Sequence, residues 1–200
     1  MAYNPLRLSS HLFMTSEAGF EPQHNNNFEF QVTGLDTMTR AGGEEFTASE
    51  KQMLANSSDL ILSLRQAFTP AEDISDIRIA YGNGSTRFAG VPSYNDGTII
   101  WNDFYDKDIE YVLKLWQRAA YDPETGAVGD ASNYKRTAYL TMYSPSGRVA
   151  RRWKLFGVWI RAVNGDDMSN ENATARGLSA VISYDWAVRM TKEESSSTIG

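Results

Sequence analysis

The stretch from Gly97 to Tyr121 sets two structural periods back to back with no linker, and no other segment restricts the fold as much. Gly97-Thr-Ile-Ile-Trp-Asn-Asp-Phe104 is rich in β-branched and aromatic residues, the composition of a strand. From Tyr105-Asp106-Lys107-Asp108 onward, Ile109, Val112, Leu113, Trp116 and Ala120 recur on one helical face. The spacing predicts a helix over 106–121. Asp106 is its expected N-cap, Asp108 and Glu110 lie near the positive end of its dipole, and Arg118 lies near the negative end. Glu110 precedes Lys114 at the favourable i,i+4 spacing, and Tyr121-Asp122-Pro123-Glu124-Thr125-Gly126 supplies the stop. Ile109, Val112, Leu113 and Trp116 are expected to form a helix–sheet core. One well-formed helix set among strands points to a mostly β chain, a sandwich or partial barrel of about six or seven strands with a flanking amphipathic helix.

The rest of the chain fits that outline. Phe28-Glu-Phe-Gln-Val-Thr-Gly34 alternates and predicts a first strand with Phe28, Phe30 and Val32 inward. Asp36 to Ser58 is a long connection in which Thr47-Ala-Ser-Glu50 has the capping-box pattern for a short helix through Leu54. Asp59 to Phe68 satisfies both periods: Leu60, Ile61, Leu64, Ala67 and Phe68 make a helical face, while Leu60, Leu62 and Leu64 alternate. Ile77 to Tyr81 and Arg87 to Val91 flank Gly82-Asn83-Gly84, a hairpin signal. Tyr134 to Tyr143 and Arg148 to Ile160 flank Ser144-Pro145-Ser146-Gly147, which suits a type I turn. Asn164 to Arg176 reads as a polar loop, and Gly177 to Arg189 as one last strand. There is no internal repeat and no second core. The organisation is a 1–26 arm, a single β domain over 27–190, and a 191–200 tail; within the domain lie the 36–58 insertion, a 69–92 extended loop and the helix.

Composition excludes several classes. At 200 residues, 42% hydrophobic and 22% charged, the chain has the size and balance of one globular domain. No apolar run approaches the ~20 residues that span a bilayer, and the first residues lack a basic region followed by an apolar one. The expected place of synthesis is a cytoplasm, which the protein keeps to or leaves by lysis. With no cysteine, disulfides and thiolate chemistry are excluded. A net charge of −6 argues against gripping DNA, which needs a basic footprint. Arg148, Arg151, Arg152, Lys154 and Arg161 nevertheless crowd one segment with Trp153 and Trp159. They suit either a solvated strand face or, for Arg148, Arg151, Arg152 and Lys154, an outer contact with an acidic surface of another subunit.

Catalytic and cofactor patterns are weak. The two histidines, His11 and His24, both lie in the arm, a poor base for a triad or a metal site. Gly82-Asn83-Gly84-Ser85-Thr86 lacks the lysine and the following helix of a phosphate loop. Asp166, Asp167, Asn170 and Glu171 do not have EF-hand spacing. Asn172-Ala-Thr174 and Asn56-Ser57-Ser58 match a glycosylation sequon without a secretory signal. Asp103, Asp106 and Asp108 beside Trp101 would supply paired carboxylates, but Asp106 and Asp108 serve better as helix-start residues. No catalytic residue, cofactor or metal is expected.

The order of elements resembles the tail tube proteins of contractile phage tails, the T4-like family with relatives in tailocins and other contractile injection systems. Six segments carry the resemblance before the last strand: Asn27-Phe-Glu-Phe-Gln-Val32, Leu64-Arg-Gln-Ala-Phe-Thr-Pro70, Arg87-Phe-Ala-Gly90, Thr98-Ile-Ile-Trp-Asn-Asp-Phe104 with the helix ending Leu115-Trp116-Gln117, Lys135 to Tyr143, and Trp153-Lys-Leu-Phe-Gly-Val-Trp159. Val181-Ile-Ser-Tyr-Asp-Trp186 completes it, so that the match spans about Asn27 to Met190. It assigns Asp59 to Phe68 to a strand; the 36–58 connection departs from the smallest members.

What the resemblance implies is a structural subunit and no enzyme. Six copies would close into a ring whose strands form one continuous inner barrel, and rings would stack into a tube inside a sheath. Sheath, baseplate and tail-terminator proteins would be partners. DNA or an effector would pass through the lumen without specific binding, in a virion assembled in the host cytoplasm. The 69–92 loop would stack rings through Ile77, Ile79, Tyr81, Asn83, Arg87 and Phe88. Alternation places Leu60, Leu62 and Leu64 inward with Ser63 and Arg65 toward the lumen; on the last strand Leu178, Ala180, Ile182 and Tyr184 pack, leaving Ser179, Ser183 and Asp185 outward. Asp185 is the expected neutraliser of Arg65. A tube-like baseplate or tail-terminus adaptor of the same fold, and a non-assembling β-sandwich that binds carbohydrate, are the alternatives.

Overall fold

The computed structural model describes residues 26–166 and 175–191. His11 and His24, the loop residues Asp167, Asn170, Glu171 and Asn172, and the tail from 192 onward lie outside the described residues. The strands are β1 Phe28–Thr33, β2 Leu64–Gln66, β3 Glu72–Tyr81, β4 Gly84–Tyr94, β5 Gly97–Asn102, β6 Arg136–Tyr143, β7 Val149–Gly165, β8 Gly177–Ser183 and β9 Trp186–Arg189. Seven of them form one antiparallel sheet in the order β1-β6-β7-β8-β5-β2, with β9 also pairing β7, while β3 and β4 form a separate ribbon. The mostly β class holds.

β7 organises the body because it serves two neighbourhoods in succession. Its first part pairs with β6 and β9, and from Trp159 onward it pairs with β8. The change of partner follows Gly157, at φ 65°. A Cβ there would come within 2.0 Å of Asp185 Oδ2, so both backbone and space demand glycine. Asp185 is held in turn by Lys135 Nζ at 2.6 Å and by its own N–H, which donates to Phe156 O at 2.9 Å. The last strand expected over 177–189 therefore breaks at Tyr184–Asp185, and β8 and β9 join different stretches of β7.

The helix α3 Ile109–Ala120 closes the core against β7. It begins three residues later than the sequence predicts, since Phe104 and Lys107 pair in a tight turn and Asp108 takes over as N-cap, accepting from the Tyr111 N–H at 3.1 Å. Ile109, Val112, Leu113 and Trp116 are buried, and so are Leu115 and Ala119, because the helix is covered on more than one side. Trp116 is 2% exposed, and its indole N–H donates to Tyr134 O at 3.1 Å. Tyr134 ends a short helical turn, α4 Ala131–Tyr134, so β6 starts at Arg136 instead of Tyr134.

The long connection holds α1 Ala48–Ala55, and α2 Ser57–Leu62 begins at its end. α1 carries the capping box foreseen from Thr47 and Glu50, with both reciprocal bonds present. Met38, Ala41, Phe46 and Leu54 bury their side chains, so the connection is part of the core. The strand expected over Asp59–Phe68 is corrected: residues through Leu62 are helical, and only Leu64–Gln66 is strand. The helical period wins because Leu60 turns inward, its carbonyl accepting from the Trp101 indole at 3.0 Å, while Leu62 is 79% exposed.

Candidate assembly surfaces

The β3–β4 ribbon leaves the body at Glu72 and returns at Tyr94. Its turn uses Gly82 at φ 51°, the positive value that a glycine-first two-residue hairpin needs. Register sorts the side chains, since cross-strand partners share a face. Ile77 opposite Phe88, Ile79 opposite Thr86 and Tyr81 opposite Gly84 make one face; Asp76 opposite Ala89, Arg78 opposite Arg87 and Ala80 opposite Ser85 make the other. The second face satisfies itself, with Arg87 paired to Asp76 at 3.5 Å and Arg78 Nε donating to Ser85 Oγ at 2.9 Å. The first packs against nothing among the described residues of the subunit: Ile77 is 53% exposed, and Ile79, Tyr81 and Phe88 are exposed as well. Near the body a bulge sets Ser75 against Gly90, where a Cβ would lie 2.4 Å from Ser75 Oγ.

Where the body sheet opens between its two edge strands there is a cleft of about 390 Å³. Phe28, Leu140 and Met142 form one wall, and residues 65–69 form the other. Phe28 and Met142 are register partners, and Arg151 follows Met142 on the next strand. Phe68 holds the second wall by stacking on Tyr184 at 5.7 Å and by covering Gly97.

The faces turned away from the core differ in chemistry. On β5, β8 and the end of β7, register aligns Thr98 with Val181 and Ala162, and Ile100 with Ser179 and Asn164. Asn102 and Ser183 extend this face, which carries no charge in those positions. On β1, β6, β7 and β9 the corresponding face carries Glu29, Tyr139, Arg152, Lys154, Phe156 and Trp186. There Lys154 Nζ lies 4.7 Å from the centre of the Phe156 ring, which stacks on Trp186 at 3.8 Å. Burial and the hydrogen bond to Glu29, 2.6 Å long, push the Tyr143 hydroxyl up to about 12.

No protein-family model and no curated protein matches the sequence. Solved structures do match the fold. A chain of the anti-feeding prophage cap, the AFP tube terminating cap, superposes with a TM-score of 0.59 at 12% identity, over 86% of this chain and 92% of the other. A chain of the PVC sheath/tube terminator, from an extracellular contractile injection system in its extended state, gives 0.58 at 10% identity over 86% and 98%. A chain of the PVC sheath–tube complex gives 0.52 at 10% identity over 95% and 99%. The chain has the contractile tail-tube fold.

On this tail-tube body several residues stand elsewhere than the sequence suggests. Ser63 is 1% exposed and cannot face a channel; it ends α2, its hydroxyl donating to Asp59 O at 2.6 Å. Arg65 is exposed on the wall of the cleft, and its expected partner Asp185 is bound to Lys135 instead. Ser179 and Ser183 are half-buried on the uncharged face, and Asp185 is exposed at the strand break. Of the basic segment, Arg148 and Arg151 are exposed, and Arg161 pairs with Asp96. Arg152 is corrected as an outer contact: it is 6% exposed, with its guanidinium 4.5 Å from the centre of the Tyr139 ring.

Sequence reasoning missed the polar centre of the tail-tube core. Glu50 is buried and accepts hydrogen bonds from the Thr47 N–H at 2.7 Å, the Tyr111 hydroxyl at 2.7 Å, the Thr47 hydroxyl at 2.9 Å and Arg40 at 2.9 Å. Burial alone would raise its pKa, but those four donors outweigh burial and bring it down to about 2. The capping-box pattern located Glu50, and nothing local announced that Tyr111 and Arg40 would reach it. Asp103 is likewise committed to structure: Arg176 donates to it at 2.8 Å and to Glu110 at 2.9 Å. Among the described residues no three His, Cys, Asp or Glu side chains gather as a metal site, and no helix is long and apolar enough to cross a membrane.

Proposed function

We propose that this chain is a structural subunit of the tube of a contractile phage tail or injection system, in which six copies close into a ring and rings stack into a tube. The observation that carries the reading is the tail-tube body with an amphipathic ribbon projecting from it, whose apolar face is solvent-exposed in the subunit. An isolated two-stranded ribbon is marginal in water, and an exposed apolar face marks an interaction site. Ile77, Ile79, Tyr81 and Phe88 on that face, with Asn83 at the tip, then stack one ring on the next, while Arg87 stands on the other face, paired to Asp76. The uncharged face with Ser179 and Ser183 lines the lumen, where a polyanion slides because those positions offer its phosphates no cation. Sheath, baseplate and terminator proteins complete the particle, a virion assembled in the host cytoplasm, and the subunit performs no catalysis.

A second reading, a low-copy adaptor at the tail terminus, is favoured by the higher TM-scores of the cap and terminator chains, 0.59 and 0.58 against 0.52 for the sheath–tube complex. Electron microscopy of the purified chain separates the readings. Long uniform tubes are expected from a tube subunit and single rings from an adaptor, whereas monodisperse monomers would overturn both in favour of a binding module. The lumen assignment has its own test in Ser183→Cys: it should resist a bulky maleimide in tubes and label fully in monomers, and equal labelling would place that face outside.

A further inference from the structure

We infer that the cleft between the edge strands β1 and β2 is the receptor for the base of the ribbon of a second copy of this chain. The inference rests on the ribbon being an assembly element and adds the surface that receives it. The cleft has an apolar wall, Phe28, Leu140 and Met142, and a cation, Arg65, opposite. Arg151 stands beside Met142 on the next strand, about 5 Å across the ladder. Its occupant must therefore be extended, apolar at intervals and acidic. The first half of β3, Glu72-Asp73-Ile74-Ser75-Asp76-Ile77, has that pattern. All ten residues of β3 are exposed, so the strand does not fill the cleft of its own subunit. The second wall runs through Thr69, three residues before β3 begins, which leaves no slack to fold the strand back. A second copy has no such restriction. Ile74 and Ile77, three residues apart on β3, take opposite faces of the ribbon, and the bulge at Ser75 and Gly90 lies between them. In the docked pair Ile74 meets Met142, and Glu72 and Asp73 face Arg65 and Arg151.

The test uses the full chain, which has no cysteine of its own. Ile74→Cys combined with Met142→Cys should give, under mild oxidation, a reducible ladder of linked copies, while either variant alone gives none. Arg65→Glu with Arg151→Glu should lower the assembled fraction at least tenfold without moving the thermal midpoint, and adding Glu72→Arg with Asp73→Arg should restore it. Normal assembly of the arginine variant, or assembled particles without a ladder, would overturn the cleft as receptor. The two ideas fail separately. If deletion of Ala80–Phe88 abolishes assembly while the arginine variant assembles normally, the ribbon reading stands and the cleft falls. If the deletion assembles normally, the ribbon reading falls; a monomeric native chain removes both.

Discussion

The body and the ribbon are built from the same kind of strand and meet opposite fates. In the body, Ile99, Leu178 and Ile182 on β5 and β8 are fully buried. In the ribbon, Ile74, Ile77 and Ile79, no less apolar, stand in solvent. The body closes a core within one subunit because β7 changes partners at Gly157 and α3 covers the opening. The ribbon is one layer, with nothing opposite it among the described residues. A subunit that folds alone should thus depend on the body for stability and on the ribbon for assembly.

Trp116→Ala empties the largest side chain from the helix face and leaves the Tyr134 carbonyl without its indole donor. It should cost about 3–5 kcal/mol, a large share of a domain's stability. Thermal or urea unfolding reads this directly, and an unchanged midpoint would place the side chain outside the core. Gly157→Ala forces an L-residue into positive φ and against Asp185, and should cost about 1–3 kcal/mol. A smaller loss would mean that the change of partners along β7 does not depend on that kink.

Glu50→Gln leaves Arg40 without its buried counter-charge and should cost about 1–3 kcal/mol at neutral pH. The sign of the pH dependence follows from a folded pKa of about 2 against an ordinary 4.5. A depressed carboxyl stabilises fully above the ordinary value, and that contribution is lost as pH falls toward 2. Acid titration of the native chain should show this loss and the Gln variant should show less of it; parallel curves would remove Glu50 from the account. Ile77→Ser with Phe88→Ser lies at the other extreme. Both residues are exposed in the subunit, so stability should move by no more than about 0.5 kcal/mol per site. A loss like that of Trp116→Ala would show that the ribbon belongs to the folding unit after all.

The same division governs how much was legible in the sequence. Features specified within a few residues were readable: the Thr47–Glu50 capping box, a hairpin at Gly82-Asn83-Gly84, the Ser144–Gly147 turn and the apolar face of α3. Asp59–Leu62 satisfied both periods, and the resemblance pointed the wrong way; the bond from Trp101 to Leu60, 41 residues distant, accompanies the helical choice. Asp185 looked like a strand residue because its partner Lys135 lies 50 positions away and Gly157 between them. Arg152 looked like surface charge because alternation reports which side of a sheet a residue takes and says nothing of an aromatic ring that covers it. Of the assembly surfaces, the ribbon was visible as a hairpin signal, whereas the cleft exists only once β1 and β2 become the two edges of one sheet.

The most direct measurement pairs electron microscopy with thermal unfolding on one preparation of the chain lacking Ala80–Phe88. The account predicts a subunit that unfolds at nearly the native midpoint and forms no tubes or rings. Tubes of normal length from that deletion, or a subunit that no longer folds, would contradict it.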